Sequence, residues 1–227
     1  MTSDISIILA AKDEAPTIAD VVERCRASTP RLREILVVDD GSSDDTAACA
    51  TAAGATVHRL PRNRGKGVAI RHGLERATGD VLLFLDADGQ DDPEDIPRLI
   101  EALRPGVDMV VGSRFLGTFL DGAITPLNKA GNVALTGVVN ALFGAALTDT
   151  QAGFRLVRRE AAARCRLSAS RYNIEVDLLL GVLRSGGRVV EVPVTRRARS
   201  HGRSGLHSFR DGALILAHIL RRRLGPR

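Results

Sequence analysis

The chain has no tryptophan, a single tyrosine and six phenylalanines, so aromatic side chains make up only 3% of it. So few ring faces argue against a protein that stacks on the bases of single-stranded nucleic acid, and no nucleic-acid partner is expected. Cysteine is equally scarce. Cys25, Cys49 and Cys165 stand far apart, without the paired spacing of a zinc site or a disulfide framework, and read as buried thiols of a reducing compartment. Met1-Thr2-Ser3-Asp4 lacks the basic stretch of a signal peptide and leads straight into a short apolar run. No convincing membrane-crossing run is present: the best candidate, residues 130–147, is interrupted by Asn132, Thr136 and Asn140. Internal repeats and low-complexity segments are absent too.

What is present is a chain of 227 residues, 44% hydrophobic. That is enough for a buried core, and the length suits one large α/β domain or a domain with a tail. The charge is unevenly spread. Residues 196–227 hold nine arginines against one acid, Asp211, whereas residues 1–195 are slightly acidic, so the formal +5 belongs to the C-terminal end. A basic end of this kind suits a membrane surface, nucleic acid or a phosphorylated substrate.

Apolar runs alternate with amphipathic stretches. Strands are expected over residues 5–10, 34–39, 55–60, 81–86 and 108–112. Helices are expected to open at Ala15-Pro16, at Asp44-Asp45-Thr46, after Asn63-Arg64-Gly65-Lys66-Gly67 and at Pro93. Strands that are apolar throughout belong to a parallel sheet covered on both faces. The second half is less regular. A strand is expected over 189–194 and an amphipathic helix over 208–223, with Phe209, Ala213, Leu216 and Leu220 on one side and Arg221-Arg222-Arg223 at its end. Residues 130–147 read as a helix with one polar stripe, Asn128, Asn132, Thr136 and Asn140. It is either a core helix with a wetter edge or a helix whose apolar side meets lipid or a lipid-like acceptor.

Acids gather where the first, second and fourth expected strands end: Asp13-Glu14, Asp39-Asp40 and Asp86-Ala87-Asp88. Open α/β sheets bind ligands along that edge. Asp-x-Asp leaving a buried strand, with Gly89 to kink the chain, is a hard-oxygen site suited to Mg²⁺ or Mn²⁺ carrying a diphosphate. Asp39 and Asp40 are expected to meet a ligand, Asp44 and Asp45 to cap a helix. Gly65-Lys66-Gly67 lacks the first glycine and the Ser/Thr of an ATPase phosphate loop. His58, His72, His207 and His218 read as ordinary surface or helix residues.

Lys12-Asp13-Glu14, Val38-Asp39-Asp40-Gly41-Ser42-Ser43-Asp44-Asp45-Thr46, Asn63-Arg64-Gly65-Lys66-Gly67, Asp86-Ala87-Asp88-Gly89-Gln90 and Gly112-Ser113-Arg114 follow one another across residues 5–115. In that order they resemble a family 2 inverting glycosyltransferase of the GT-A fold, which more often has Asn-Glu in place of Asp13-Glu14. The second half is similar to the polyprenyl- and dolichyl-phosphate sugar synthases. The similarity rests on Asp149-Thr150-Gln151-Ala152-Gly153-Phe154-Arg155, Tyr172-Asn173-Ile174-Glu175, Glu191-Val192-Pro193-Val194 and Arg199-Ser200-His201-Gly202-Arg203-Ser204. The resemblance implies an α/β fold: a single GT-A-type, Rossmann-like domain over 1–207 with a mostly parallel central sheet covered by helices. Residues 1–115 would be its nucleotide-sugar half and 116–207 its acceptor half, followed by a basic amphipathic helix over 208–227.

The resemblance also implies roles. Asp13 and Asp39, with Glu14 and the backbone around Ala11, would hold base and ribose, with Lys66 near the nucleotide. Asp86, Asp88 and Gln90 would hold Mg²⁺ or Mn²⁺ against the diphosphate, Asp88 most directly, and Arg114 would meet phosphate. Cation and arginine would stabilise the charge that builds as a nucleoside diphosphate leaves. The implied reaction moves a hexose from a UDP- or GDP-sugar to a polyprenyl phosphate, an acceptor already anionic and in no need of a base. Lys129, Arg155, Arg199, His201, Arg203 and Ser204 are the expected acceptor-side phosphate ligands, with residues 199–204 closing over the donor as a lid. Asp149 either removes a proton from a soluble hydroxyl acceptor, the alternative reaction, or orients a loop and the sugar hydroxyls. A nucleotidyltransferase is a more remote alternative, because residues 10–14 are a poor version of its glycine-rich signature. A nucleotide-sugar sensor would not require Asp-x-Asp with Gln90. A lipid-phosphate acceptor places the protein at the cytoplasmic membrane face, held through the 208–223 helix or a membrane-protein partner. Nothing in the sequence fixes an oligomeric state.

Overall fold

A computed structural model describes residues 3–201 and 208–224, the side chain of Ser208 excepted. Seven strands form one sheet: β1 (Ile5–Ala11), β2 (Leu32–Asp39), β3 (Thr56–Arg59), β4 (Val81–Asp86), β5 (Met109–Phe119), β6 (Arg155–Arg158) and β7 (Val189–Arg196), in the spatial order β3-β2-β1-β4-β6-β5-β7. The pairs β1/β2, β1/β4, β2/β3 and β5/β7 are parallel, and β6 runs antiparallel between β4 and β5. The expected strands are all present. Short β6, flanked by arginines, gave no apolar run long enough to be read as a strand, and β5 continues to Phe119, beyond its apolar half.

The helices are α1 (Ala15–Ser28), α2 (Thr46–Ala52), α3 (Lys66–Arg76), α4 (Ile96–Ala102), α5 (Pro126–Phe143), α6 (Arg159–Ala163), α7 (Ile174–Arg184) and α8 (Ser208–Leu224). Alternation along β1 explains the two cores: Ile7 and Leu9 face one cluster with Ile18, Val22 and Leu99, while Ile8 faces the other with Ile70, Leu178 and Leu179. Both faces are covered, which is why these strands are apolar at every position. A third, smaller cluster joins α5, α7 and α8 through Val139, Val176, Leu180, Ile215 and Ile219.

All parallel strands deliver their C-terminal ends to one edge, and the turns there are tight. Gly89 has φ 70, so the kink after β4 is made by a residue without a Cβ penalty. Gly65, at the mouth of α3, has φ 95, and a Cβ built on it would lie 2.4 Å from the carbonyl oxygen of Ser170. Gly65→Ala is expected to cost about 3 kcal/mol in denaturant unfolding, from backbone strain plus overlap with fixed backbone.

Candidate active site

The loops after β1 and β2 are stitched to each other. Asp13, at φ 54, accepts from the Ser43 amide through Oδ1 (2.7 Å), and its own amide donates to Ser42 Oγ (3.0 Å). The Lys12 hydrogen bond, followed by the Ser43 amide, holds its carboxyl below the usual range. Asp44 accepts from the amides of Thr46 and Ala15, the first residues of α2 and α1, whereas Asp45, at the N-cap of α2, makes no side-chain capping bond. Asp40 lines the first cleft described below, and its two oxygens accept from the amides of Arg64 (2.7 Å) and Gly65 (2.8 Å), so it also fixes the loop that leads into α3. Asp39 is wholly buried and does not line the cleft described below. One oxygen accepts from the Ser42 amide (2.7 Å), and the other, 3.3 Å from Arg59 Nε, has no hydrogen-bond partner.

At the end of β4 the acids meet a set of cations. Lys66 Nζ lies 2.5 Å from Asp86 Oδ1 and 2.5 Å from Glu175 Oε1 at the start of α7. Burial opposes its charge, but the two carboxylates outweigh burial and raise its pKa. For Asp86 burial acts upward, while Lys66 and then Arg196 act downward and prevail, leaving its pKa at about 2. Asp88 goes the other way: burial, then the neighbouring Asp86 charge, raises its carboxyl despite Arg196 and Arg199. Its Oδ2 is 2.6 Å from Arg199, which also reaches Glu14 (2.9 Å), and its Oδ1 accepts from the Gln90 amide (3.0 Å). Arg196 donates to Asp91 Oδ1 (2.6 Å) and to the side-chain oxygen Oε1 of Gln90 (3.0 Å). Arg197 pairs with Asp92. The basic segment after β7 is thus bound to this acidic edge.

Asp86, Asp88 and Gln90 offer only oxygen donors on the protein side. Among the described residues no three His, Cys, Asp or Glu side chains cluster as a metal cage. Such a partial set fits a hard cation that takes its remaining oxygens from a diphosphate.

Two clefts meet here. One, of about 800 Å³, runs from Ala10–Glu14 past Asp40 and residues 63–65. The other, of about 690 Å³, has a polar floor that includes Gln90, Arg114 and Arg196 and apolar walls from α5 and α8. Lys66, Asp86, Asp88, Tyr172 and Arg199 line both.

Several expected acceptor ligands are elsewhere. Arg155 is fully buried and donates to the carbonyls of Ala152, Glu175 and Thr150, fastening the 149–153 loop to α7; burial lowers its pKa to about 10. It is a structural staple and not a phosphate ligand. Lys129 is exposed, 5.7 Å above the Phe119 ring, and does not line either cleft. Arg199 lines both clefts, and His201 is exposed beside them in sequence. Arg203 and Ser204, and with them most of the expected lid, lie outside the described residues.

Asp149 is wholly buried. Its oxygens take the Arg114 guanidinium in a fork (2.6 and 2.8 Å) together with the Arg114 amide (3.1 Å), and its own amide donates to Glu191 (2.8 Å). This arrangement orients Arg114 towards the cleft and leaves no free carboxylate to act as a base. Arg196 belongs to the basic segment expected to meet an acceptor phosphate and is found on Asp91 and Gln90, while Glu175, Asp91 and Glu191 carry no role that the sequence assigns. Glu175 and Glu191 stood in quoted motifs, but a lone acid ahead of an apolar helix or strand does not reveal which cation it will meet.

A family model described as glycosyl transferase family 2 matches residues 6–165. Undecaprenyl-phosphate mannosyltransferase of Micrococcus luteus is 34% identical over 213 residues, covering 87% of this chain and 85% of that protein. Polyprenol monophosphomannose synthase of Mycolicibacterium smegmatis is 33% identical, covering 86% of this chain and 78% of its own. Among solved structures, glucosyl-3-phosphoglycerate synthase from Mycobacterium tuberculosis in complex with Mn²⁺, uridine-diphosphate-glucose and phosphoglyceric acid superposes with a TM-score of 0.79 at 25% identity, covering 99% of this chain and 81% of that one.

Proposed function

The chain belongs to glycosyl transferase family 2, and from that membership we propose that it moves a hexose from a nucleoside-diphosphate sugar to a polyprenyl phosphate with a divalent cation. The observation that carries this reading is the joining of the two clefts. A hydrophilic cleft and a cleft walled by apolar helices share Lys66, Asp86, Asp88, Tyr172 and Arg199. A nucleotide on one side and a lipid phosphate on the other would bring anomeric carbon and attacking oxygen together at those residues. The two mannosyltransferase relatives named for lipid-phosphate acceptors support the acceptor class, and the Mn²⁺ and uridine-diphosphate-glucose complex supports donor and cation.

In this reading residues 1–115 do the donor's work. Ala11, Lys12 and Asp13 bound the nucleoside end, Glu14 anchors Arg199, and Asp39 fixes the Ser42 loop beneath. Asp86, Asp88 and Gln90 would hold Mg²⁺ or Mn²⁺, which would supply positive charge to stabilise the departing diphosphate. Arg199, which bridges Asp88 and Glu14 and lines both clefts, is the arginine placed to turn to the donor's phosphates. Residues 116–207 serve the acceptor, joined by Arg114, which was expected on the departing diphosphate but lines only the apolar-walled cleft. Arg114, held by Asp149, directs its free edge into the cleft and steadies the acceptor phosphate. An acceptor phosphate oxygen bonds to the anomeric carbon from the face opposite the diphosphate. The bond to the diphosphate breaks with its electron pair, and the anomeric configuration inverts. The nucleophile is anionic already, so the buried Asp149 has no proton to remove.

The test is incubation with labelled UDP-glucose, GDP-mannose or UDP-N-acetylglucosamine, Mn²⁺ or Mg²⁺, and a short-chain polyprenyl phosphate. Label passing into the organic phase is the expected result. Label confined to water-soluble product would instead identify a soluble acceptor.

A further inference from the structure

The connection between α6 and α7, residues 164–173, is neither helix nor strand. Its backbone groups must find partners outside any ladder of their own, and they find them on two sides. On one side the chain lies against the mouth of α3. The Ser170 carbonyl accepts from the Gly67 amide (3.0 Å), and the Ala169 carbonyl accepts from the Arg71 guanidinium. The approach is backbone to backbone: a Cβ built on Gly67 would lie 2.5 Å from the Ala169 carbonyl oxygen, just as one on Gly65 would meet Ser170. Arg171 and Tyr172, the next residues, line the cleft that runs past Asp40. The position of 169–172 therefore fixes that of Gly65, Lys66 and Gly67.

On the other side stand α7 and α8. Asp177 of α7 is wholly buried, and its Oδ2 accepts from the amides of Ser168 (2.7 Å) and Ala169 (2.9 Å). Its Oδ1 faces two side chains of α8, Arg222 Nη2 at 2.6 Å and His218 Nε2 at 2.9 Å. Arg222 also donates to the Arg166 carbonyl (2.7 Å), so one guanidinium grips both the carboxylate and the start of the connection. Burial pushes the Asp177 carboxyl up, but His218, the two amides and Arg222 outweigh it and hold its pKa below the usual range. The side of α8 that packs inward carries Asp211, Ile215, His218 and Ile219, all buried, while Phe209, Leu216 and Leu220 of the expected apolar stripe are exposed. Packing of α8 on α7 has apolar residues of its own in Val176, Leu180, Ile215 and Ile219. What the polar set adds is a grip on a stretch of chain that has no ladder to hold it.

We propose that Asp177 is a positioning residue for the sugar donor and that α8 sets donor affinity through it. Arg222 and His218 keep the carboxylate in place, the carboxylate holds 168–169, and 169–170 hold the Gly65-Lys66-Gly67 turn. Without its cation the buried carboxylate would be left uncompensated, and the grip on the two amides would loosen. Asp177 lines neither cleft, so it acts only through the residues it holds. The coupling positions a donor only where the first cleft takes the nucleotide, and in that it rests on the reading above.

Asp177→Asn would test this only if the protein still folded, so the probe is Arg222→Met, with Arg222→Lys as the conservative variant. Ile219→Ala is the control, because it removes buried packing from the same helix and no polar contact. Amide hydrogen exchange is followed without ligand, and UDP and GDP are titrated by calorimetry. In Arg222→Met the amides of Gly67, Ser168 and Ala169 should exchange about tenfold faster than in the wild type, with those of β1 unchanged. Whichever nucleotide the wild type binds should be bound about tenfold more weakly. Arg222→Lys should restore most of both. Ile219→Ala should melt at a lower temperature and show neither effect. Unchanged exchange at Gly67 in Arg222→Met overturns the proposal. So does faster exchange there with nucleotide affinity unchanged, and so does an equal loss of affinity in Ile219→Ala, which would make the effect one of general stability. If the wild type bound neither nucleotide while exchange followed the expected pattern, the donor reading would fail and the coupling from α8 to α3 would stand.

Discussion

Asp88→Asn is expected to lower hexose transfer about a thousandfold, the scale of losing a group that stabilises charge in the transition state, while leaving the protein at least as stable as wild type. Both halves follow from where Asp88 sits. It is buried at the end of β4 beside Asp86, and burial and that neighbour together raise its pKa. A raised carboxyl pKa means the folded protein binds the proton more tightly than the unfolded chain does. Its ionised form therefore costs stability at neutral pH, and the cost disappears as pH falls through the folded pKa. Asparagine has the same shape, can still accept from the Gln90 amide, and leaves Arg199 its second partner, Glu14. The charge that is removed is the one a cation needs. Calorimetry of UDP with and without Mn²⁺ separates the causes: Mn²⁺ should tighten UDP binding in the wild type and have no such effect in the variant. Unchanged turnover and Mn²⁺ response would move the cation to another place. A site that is less stable when charged than when neutral is what a trade of stability for function looks like.

The donor edge was legible because strands and turns carry their own signals. Four apolar residues, Val81 to Phe84, lead through Leu85 to Asp86, and a left-handed Gly89 turns the chain. That local chemistry specifies both the strand and where its carboxylates emerge. Acids at three strand ends then point to one edge without any knowledge of tertiary contacts. Side-chain partners were not legible in the same way. An arginine that binds phosphate and one that binds carbonyls look alike in a sequence, and Arg155 differs only in standing between Phe154 and Leu156, both buried. That apolar frame was the available hint that its side chain would need backbone acceptors. Arg199 was expected among phosphate ligands and is found on Glu14 and Asp88, residues more than a hundred positions away.

The helices show a second limit of periodicity. Spacing of three and four gives the stripe on α8 and the stripe on α5, but an apolar stripe specifies only that something apolar covers it. Here the protein core takes the other side. Polar pairs such as Thr136 with Thr150 and Arg222 with Asp177 fasten the helices inward. Those partners come from the loop before β6 and from α7, so the inversion is encoded in long-range pairs.

Asp149→Asn should cost about 3 kcal/mol of stability, the scale of removing one partner from a buried ion pair, and should lower transfer without changing its pH dependence. The carboxylate is wholly buried, and both oxygens hold Arg114. Asparagine offers a single acceptor oxygen and an NH₂ that faces the guanidinium, so the fork is broken and Arg114 is no longer aimed at the cleft. A general base would behave differently, because its removal abolishes the acidic limb of the kcat profile. The clamp reading expects the limb to persist, scaled down. Arg114→Gln supplies the second side of the comparison. If the pair acts as a unit, each single variant loses most of what the double variant loses, and the double is far less impaired than the product of the two. Independent roles, with Asp149 taking a proton and Arg114 holding phosphate, would make the two losses multiply. The cycle therefore distinguishes an anionic acceptor that needs only a positioned arginine from a hydroxyl acceptor that needs a base, through a residue that touches neither.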